Sequence, residues 1–158
     1  TVPNLVILLG FVTGGVARGL SVGVAVTLVS LLFTEFSVHS PSIVLLVALL
    51  TSCLFAMAGL INAIFANSFD DISIVPTFVL TPLTYLGGIF YSIRLLPEFW
   101  QQVSLGNPIL YMVNSFRYGF RGASDIELVS ALLVILSFIA VLFVVCLVLL
   151  ERGTGIRQ

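Results

Sequence analysis

Four long apolar stretches alternate with short polar segments along the chain. They cover residues 5–33, 41–66, 72–93 and 128–150, and the only charged residue inside them is Arg18. An apolar helix needs about 20 residues to cross a hydrocarbon core of about 30 Å, and each stretch is long enough. The stretches are apolar on every face, which indicates helices rather than strands of alternating polarity. The pattern predicts an all-α integral membrane protein with four transmembrane helices.

The polar segment between the third and fourth stretches, about residues 95–121, predicts two short helices. Pro97 and Pro108 are each suited to the first turn of a helix, and Gly106 and Asn107 separate the two pieces. Neither piece is long enough to cross a membrane. The pair is therefore expected to lie on the membrane or to dip into it and return, as a re-entrant pair does.

The third stretch contains features that predict a bent helix. Pro82 removes one backbone hydrogen bond near the middle of the stretch, and Gly87 and Gly88 follow it. Such a helix suits a moving interface, although proline is also common in membrane helices generally, and both interpretations stay open. The candidate conduit or gate residues are Pro82, Gly87, Gly88, Asn107, Pro108, Asn114 and Arg117. For those in the re-entrant pair, the alternative to lining a substrate exit is a passive external cap.

Small residues recur at helical spacing in the first two stretches. Such stripes let helix backbones approach closely, within one subunit or between two. The predicted packing residues are Gly15, Gly19 and Gly23 in the first stretch and Ser52, Ala56, Gly59 and Ala63 in the second.

Composition supports the membrane assignment and excludes several functions. Hydrophobic residues make up 59% of the chain and charged residues 8%, against about 25% charged in soluble domains. The chain contains no lysine, which excludes a P-loop and Schiff-base chemistry, and its net charge of −1 argues against a nucleic-acid partner.

No catalytic, cofactor or metal site is predicted, and we do not expect an enzyme. A G-x-S-x-G pattern at residues 19–23 lies inside an apolar helix rather than at a strand-to-helix turn, and His39 is the only histidine. Cys53 and Cys146 are far apart in sequence and indicate neither a metal site nor a disulfide framework. The chain opens at Thr1 without a methionine or a basic leader, so we expect a piece of a longer protein.

Several motifs resemble those of ABC-2 type permeases, the membrane subunits of bacterial ATP-binding-cassette exporters. They are FDD at 69–71, PTFVLTPL at 76–83, YLGGIFY at 85–91 and the L-G-N-P break at 105–108, where Gly106 is inserted into the usual L-N-P spacing. The resemblance extends from Thr1, through VTGGVARGL, to the closing LLERGTGIR.

The resemblance implies that the whole chain, residues 1–158, is the C-terminal portion of an ABC-2 type transmembrane domain in the bacterial inner membrane, with the N-terminal spans missing. It also implies that residues 94–127 form re-entrant helices on the external side. A second permease subunit, expected as a homodimer partner, and a separate cassette ATPase would complete the exporter. The turn at 67–71 would face the cytoplasm, as would the C-terminus, and we predict that Asp70 and Asp71 couple to the ATPase. Two alternatives stay open: a gradient-driven transporter or channel, which the absence of Asp and Glu from all four stretches disfavours, and a non-transporting membrane scaffold.

Overall fold

The computed structural model describes residues 2–35 and 37–153, and this part of the chain is helical without strands. The α-helices, numbered α1 to α7 in chain order, are Asn4–Leu31, Pro41–Phe65, Phe69–Val75, Thr81–Leu86, Glu98–Ser104, Pro108–Arg121 and Leu128–Glu151. A π-helical segment, Pro76–Leu80, joins α3 to α4, and a 3-10 turn, Ile93–Leu95, precedes α5.

Within the described residues, three helices are long and apolar enough to cross a membrane. They are α1, α2 and α7, with 28, 25 and 24 residues and peak mean hydropathies of 1.9, 2.6 and 3.4. At about 1.5 Å per residue, even the shortest exceeds a hydrocarbon core of about 30 Å. Three of the four predicted crossings therefore have helices of the required length and polarity.

The third predicted span differs from its prediction. Helical structure begins at Phe69, passes through α3, the π-helical segment and α4, and ends at Leu86 instead of continuing to residue 93. Gly87 follows, and Gly88 adopts a φ of +75°, a left-handed conformation that terminates the helix and suits glycine. A π-helical segment, which interrupts the regular α-helical hydrogen bonding, ends at Leu80, two residues before Pro82, and the predicted bend stays a prediction. A fourth crossing stays a prediction.

Helix α2 is central to the bundle, since it packs against α1, α6 and α7. Two apolar clusters stabilise these contacts. One contains Leu54 of α2, Leu110 of α6 and Ile135 of α7. The other cluster lies further along α2, where Met57 packs with Leu8 of α1 and with Cys146 and Leu150 of α7.

Helix α6 is enclosed by the bundle rather than lying on its surface. Seven of its 14 residues are buried, from Ile109 to Gly119. Gly119 packs against Val44 near the start of α2, and its carbonyl accepts a hydrogen bond of 2.9 Å from the Ser40 amide. Since Leu110 shares a cluster with Leu54, α6 runs antiparallel to α2. At about 1.5 Å per residue it reaches about 20 Å into the bundle.

Candidate functional site

Two of the predicted packing glycines lie directly on α2. A Cβ atom added at Gly15 would lie 2.6 Å from the Ala56 Cβ, and one added at Gly19 would overlap the Ser52 hydroxyl. Gly23 and Gly59 have no neighbour within 4 Å of an added Cβ. Ala63 is exposed, as is Arg18. Among the predicted packing residues, the close approach of α1 and α2 is thus seen at Gly15 and Gly19, which lie about one helical turn apart.

The turn between α2 and α3 is fixed by its own polar side chains. The Ser68 hydroxyl caps α3 by accepting from the Asp71 amide at 3.2 Å, and Asp71 Oδ2 accepts from the Asn67 amide at 3.1 Å. These reciprocal bonds resemble a capping box. Asn62 of α2 also donates to the Ile72 carbonyl at 3.0 Å. Asp70 is exposed and forms no side-chain hydrogen bond with the described residues.

Asn107 joins the end of α4 to the start of α6. Its Oδ1 accepts from the Ile109 amide at 3.0 Å and caps α6, while its Nδ2 donates to the Leu83 carbonyl at 2.6 Å. The Leu83 carbonyl lies in the last turn of α4, where carbonyls lack intrahelical donors. Gly87 lies beside the same joint, since an added Cβ there would be 2.8 Å from Ile109 Cγ2.

A polar cluster surrounds Asp125 in the loop between α6 and α7. Its Oδ2 accepts from the Ser92 hydroxyl at 2.6 Å, and its two carboxylate oxygens lie 3.6 Å from Arg117 and 3.7 Å from Arg94. Arg117 also donates to the Gly88 carbonyl at 2.6 Å. Of the seven predicted gate residues, Gly88 and Arg117 belong to this cluster.

The buried side chain of Asn114 supports the same cluster from within α6. It is 1% exposed, donates to the Leu110 carbonyl and accepts from the Asp125 amide at 3.0 Å. Its side chain is thus enclosed and hydrogen-bonded in this structure, and its role in lining a substrate path stays a prediction. Pro108 is the first residue of α6, and Pro82 lies in the first turn of α4.

The sequence offered Asp125 only as one of three possible acidic partners for Arg117 and Arg121, with Glu98 and Glu127 as the others, and it did not indicate Ser92. A loop aspartate followed by an apolar helix is typical of a helix cap, and several arginines were equally available to it. The joining of Ser92, Arg94 and Arg117 at one carboxylate depends on how the chain folds back, which no local pattern contains.

Two clefts open to the surface outside this polar cluster. One of about 480 Å³ lies between the end of α6 and the start of α7, where Tyr118, Gly122 and Glu127 line it. Another of about 240 Å³ lies beside the π-helical segment and is lined by Thr81 and Tyr85 among others. None of the seven predicted gate residues lines either cleft.

The described residues contain no group of three metal-ligating side chains. Cys146 is buried, with its thiol 3.6 Å from the Met57 carbonyl, and Cys53 is half-buried; both are free thiols. The thiols belong to the packing of the bundle.

Long apolar helices with a polar helix enclosed among them define a multi-pass membrane protein. The chain belongs to the ABC-2 type transporter family, whose model matches residues 1–120. This confirms the family resemblance that the sequence motifs indicated.

The chain is similar to curated relatives over almost its whole length. It is 56% identical over 157 residues to "Inner membrane transport permease YadH" of Escherichia coli strain K12, and the match covers 99% of this chain and 61% of that protein. The protein of that name from Shigella flexneri matches to the same extent. "Nodulation protein J" of Rhizobium leguminosarum bv. viciae is 27% identical over 103 residues, or 65% of this chain and 40% of that protein. No solved structure matches the chain significantly.

Proposed function

We propose that this chain is the main part of the permease subunit of an ATP-driven exporter. A separate cassette ATPase supplies the energy, and a second copy of the permease completes the path across the bacterial inner membrane. The observation that carries the proposal is the 56% identity, over 99% of the chain, to a protein named an inner membrane transport permease. Since the chain spans 61% of that relative's length, the proposal concerns the whole protein of which this chain is part.

The placement of acidic residues favours ATP over an ion gradient as the source of energy. Transporters coupled to protons or sodium place ionisable groups within their spans. Among the three long helices of this chain the only acidic residue is Glu151, the last residue of α7.

A fourth crossing consists, in this proposal, of α3, the π-helical segment, α4 and the residues that follow. The α5–α6 pair then forms a re-entrant hairpin on the outer side. The 3.7 Å contact between Arg94, before α5, and Asp125, after α6, supports this arrangement because it brings both ends of the hairpin together. The irregular backbone at Gly87 and Gly88 is buried, as non-helical backbone at membrane depth must be.

The predicted gate residues act, on this proposal, as the joint between the fourth crossing and the hairpin. Asn107 and Arg117 bind backbone carbonyls of Leu83 and Gly88, one on each side of the helix break. The substrate path, in this proposal, runs along the faces of the fourth crossing and the hairpin that the joint brings together or separates.

The orientation of the chain can be tested with a reporter enzyme that is active only outside the inner membrane. A fusion after Gln158, which lies outside the described residues, should be silent because the proposal puts the C-terminus in the cytoplasm. A matched fusion truncated after Glu127, at the opposite end of α7, should be active. Activity after Gln158 would invert the arrangement.

The coupling role of the 67–71 turn can be tested by co-purifying the full-length permease with its ATPase. Asp70→Asn should reduce ATPase capture up to about fivefold, since exposed ion pairs contribute up to about 1 kcal/mol, and should leave permease stability unchanged. Asp71→Asn should reduce capture and also destabilise the turn, because Asp71 holds the Asn67 amide.

The matched control is Glu98→Gln, which removes an exposed acidic charge in α5. Capture that is as strong with Asp70→Asn as with the natural sequence would remove Asp70 from the coupling surface. A full-length permease that captures no ATPase, or that moves substrate with only an ion gradient imposed, would contradict the proposed function.

A further inference from the structure

One carboxylate holds together three separate parts of the chain at the open end of the α5–α6 hairpin. Asp125, from the α6–α7 loop, accepts from Ser92 at 2.6 Å and lies within 3.7 Å of both Arg94 and Arg117. Its side chain is only 17% exposed, and that of Arg117 is 24% exposed. Partial burial strengthens the attraction between such charges relative to a pair in water.

The segment held by this carboxylate is residues 87–95, which we name the connector because it joins α4 to the hairpin. The connector makes a third polar contact through the Gly88 carbonyl, which accepts from Arg117. Asn114 fixes Asp125 itself, because its side-chain oxygen, within α6, accepts a hydrogen bond from the Asp125 backbone amide. Asp125 is therefore attached to the helix bundle through α6, and its carboxylate binds the connector, which has little regular secondary structure of its own.

The helical segment leading into the connector has few attachments to the rest of the described chain. Asn62 binds it at one end through the Ile72 carbonyl, and α4 contacts α6 at the other. Ile74 and Phe78, which lie between these two attachments, are exposed. The π-helical segment in its middle is a type of element that frequently lies at functional sites.

The two ion pairs are longer than direct hydrogen bonds. At 3.6 and 3.7 Å they depend on attraction between charges rather than on tight geometry. Arg94 has a side chain that is 74% exposed, so salt can screen its part of the attraction. Contacts of this kind can break and reform without repacking an apolar core.

We propose that Asp125 is an ionic latch that keeps the connector closed over the α5–α6 hairpin, and that its release exposes the hairpin interior. Asp125 is a positioning residue, since it acts through Ser92, Arg94 and Arg117. The use of this opening as an outer gate rests on the proposed transport function. The opening itself is a property of the permease that can be measured without an ATPase or a known substrate.

Ser104 offers a reporter of opening. It is fully buried at the end of α5, three residues before Asn107, and its hydroxyl has no hydrogen-bond partner among the described residues. Ser104→Cys therefore replaces a side chain whose polar atom forms no bond. The experiment uses the full-length protein in lipid nanodiscs with Cys53 and Cys146 replaced by alanine. A water-soluble maleimide is added, and labelling at position 104 is read by peptide mass spectrometry.

Asp125→Asn should raise the labelling rate at position 104 by about tenfold, because it removes both charge attractions and leaves the Ser92 bond possible. Raising the salt concentration should accelerate labelling of the parent protein and leave the Asp125→Asn rate almost unchanged. Damage to the fold alone would not produce this difference in salt response. Because nanodiscs expose both faces of the protein, the result does not depend on orientation.

Glu127→Gln is the matched control, since it removes an exposed carboxylate two residues away that takes no part in the cluster. Its labelling rate should equal that of the parent. If the Asp125→Asn protein cannot be produced in folded form, Arg94→Gln serves as the test variant. Arg94 is exposed, so this protein should fold, and its labelling rate at position 104 should be about threefold higher than that of the parent. An unchanged rate in the test variant, an equal rise with Glu127→Gln, or a parent rate insensitive to salt would overturn the latch.

Discussion

Replacing Gly15 with alanine should lower the free energy of unfolding of the permease by about 2 kcal/mol, the usual cost of overpacking a tight contact. The new methyl group would lie 2.6 Å from the Ala56 Cβ, and neither atom can rotate away. The helices α1 and α2 must then separate, which weakens dispersion contacts along their interface. Thermal unfolding of the full-length protein in detergent, with folded yield as a second readout, measures the effect.

Gly14→Ala is the matched control, since nothing lies within 4 Å of an added Cβ at the neighbouring position. Alanine favours helix by up to about 1 kcal/mol over glycine, so this variant should be as stable as the natural protein or more so. The double change Gly15→Ala with Ala56→Gly moves the methyl group across the interface and should recover most of the loss. Equal destabilisation at positions 14 and 15 would contradict the close contact.

Replacing Asn107 with aspartate should destabilise the protein by about 3 kcal/mol, because it puts an unpaired charge at a site that is 2% exposed. The carboxylate can still cap α6 through the Ile109 amide. It cannot donate to the Leu83 carbonyl, and it repels that oxygen at the present 2.6 Å separation. Unfolding measured as above should show a loss much larger than a cap change alone would give.

Asn107→Ser separates the two roles of this side chain, since serine caps a helix but is too short to keep both bonds. The Asn107→Ser protein should lose some free energy of unfolding relative to the natural protein, but less than the Asn107→Asp protein does. Asn4→Asp in the first turn of α1 is the control for the amide-to-acid change, and there a negative charge is favourable. A stable Asn107→Asp protein would show that the joint to Leu83 contributes little.

The three long helices could be predicted because charge distribution and length determine which segments can cross a bilayer. Residues 41–66 and 128–150 match α2 and α7 to within one residue. The third span could not be placed as well, since Gly87 and Gly88 are tolerated in many membrane helices. Whether they end a helix depends on contacts with Asn107 and Arg117 from a segment 20 to 30 residues away.

The position of α6 was predicted only in part. Its start at Pro108 followed from the Asn107 cap, and its length excluded a crossing. The sequence did not show that its polar residues Asn114 and Ser115 are buried and bonded to carbonyls of α6 itself. A polar residue that bonds within its own helix has the same sequence pattern as one that faces water, and only the packing of α2 and α7 around it distinguishes the two.

Asn107 and Arg117 bind main-chain carbonyls of Leu83 and Gly88, not side chains. Every amino acid carries the same carbonyl group, so substitutions along α3 and α4 leave this attachment intact as long as the helix still ends at Leu86. Under the proposed transport function, side chains of α3 and α4 that face a transported molecule can therefore change while the attachment of this helical segment to α6 stays the same.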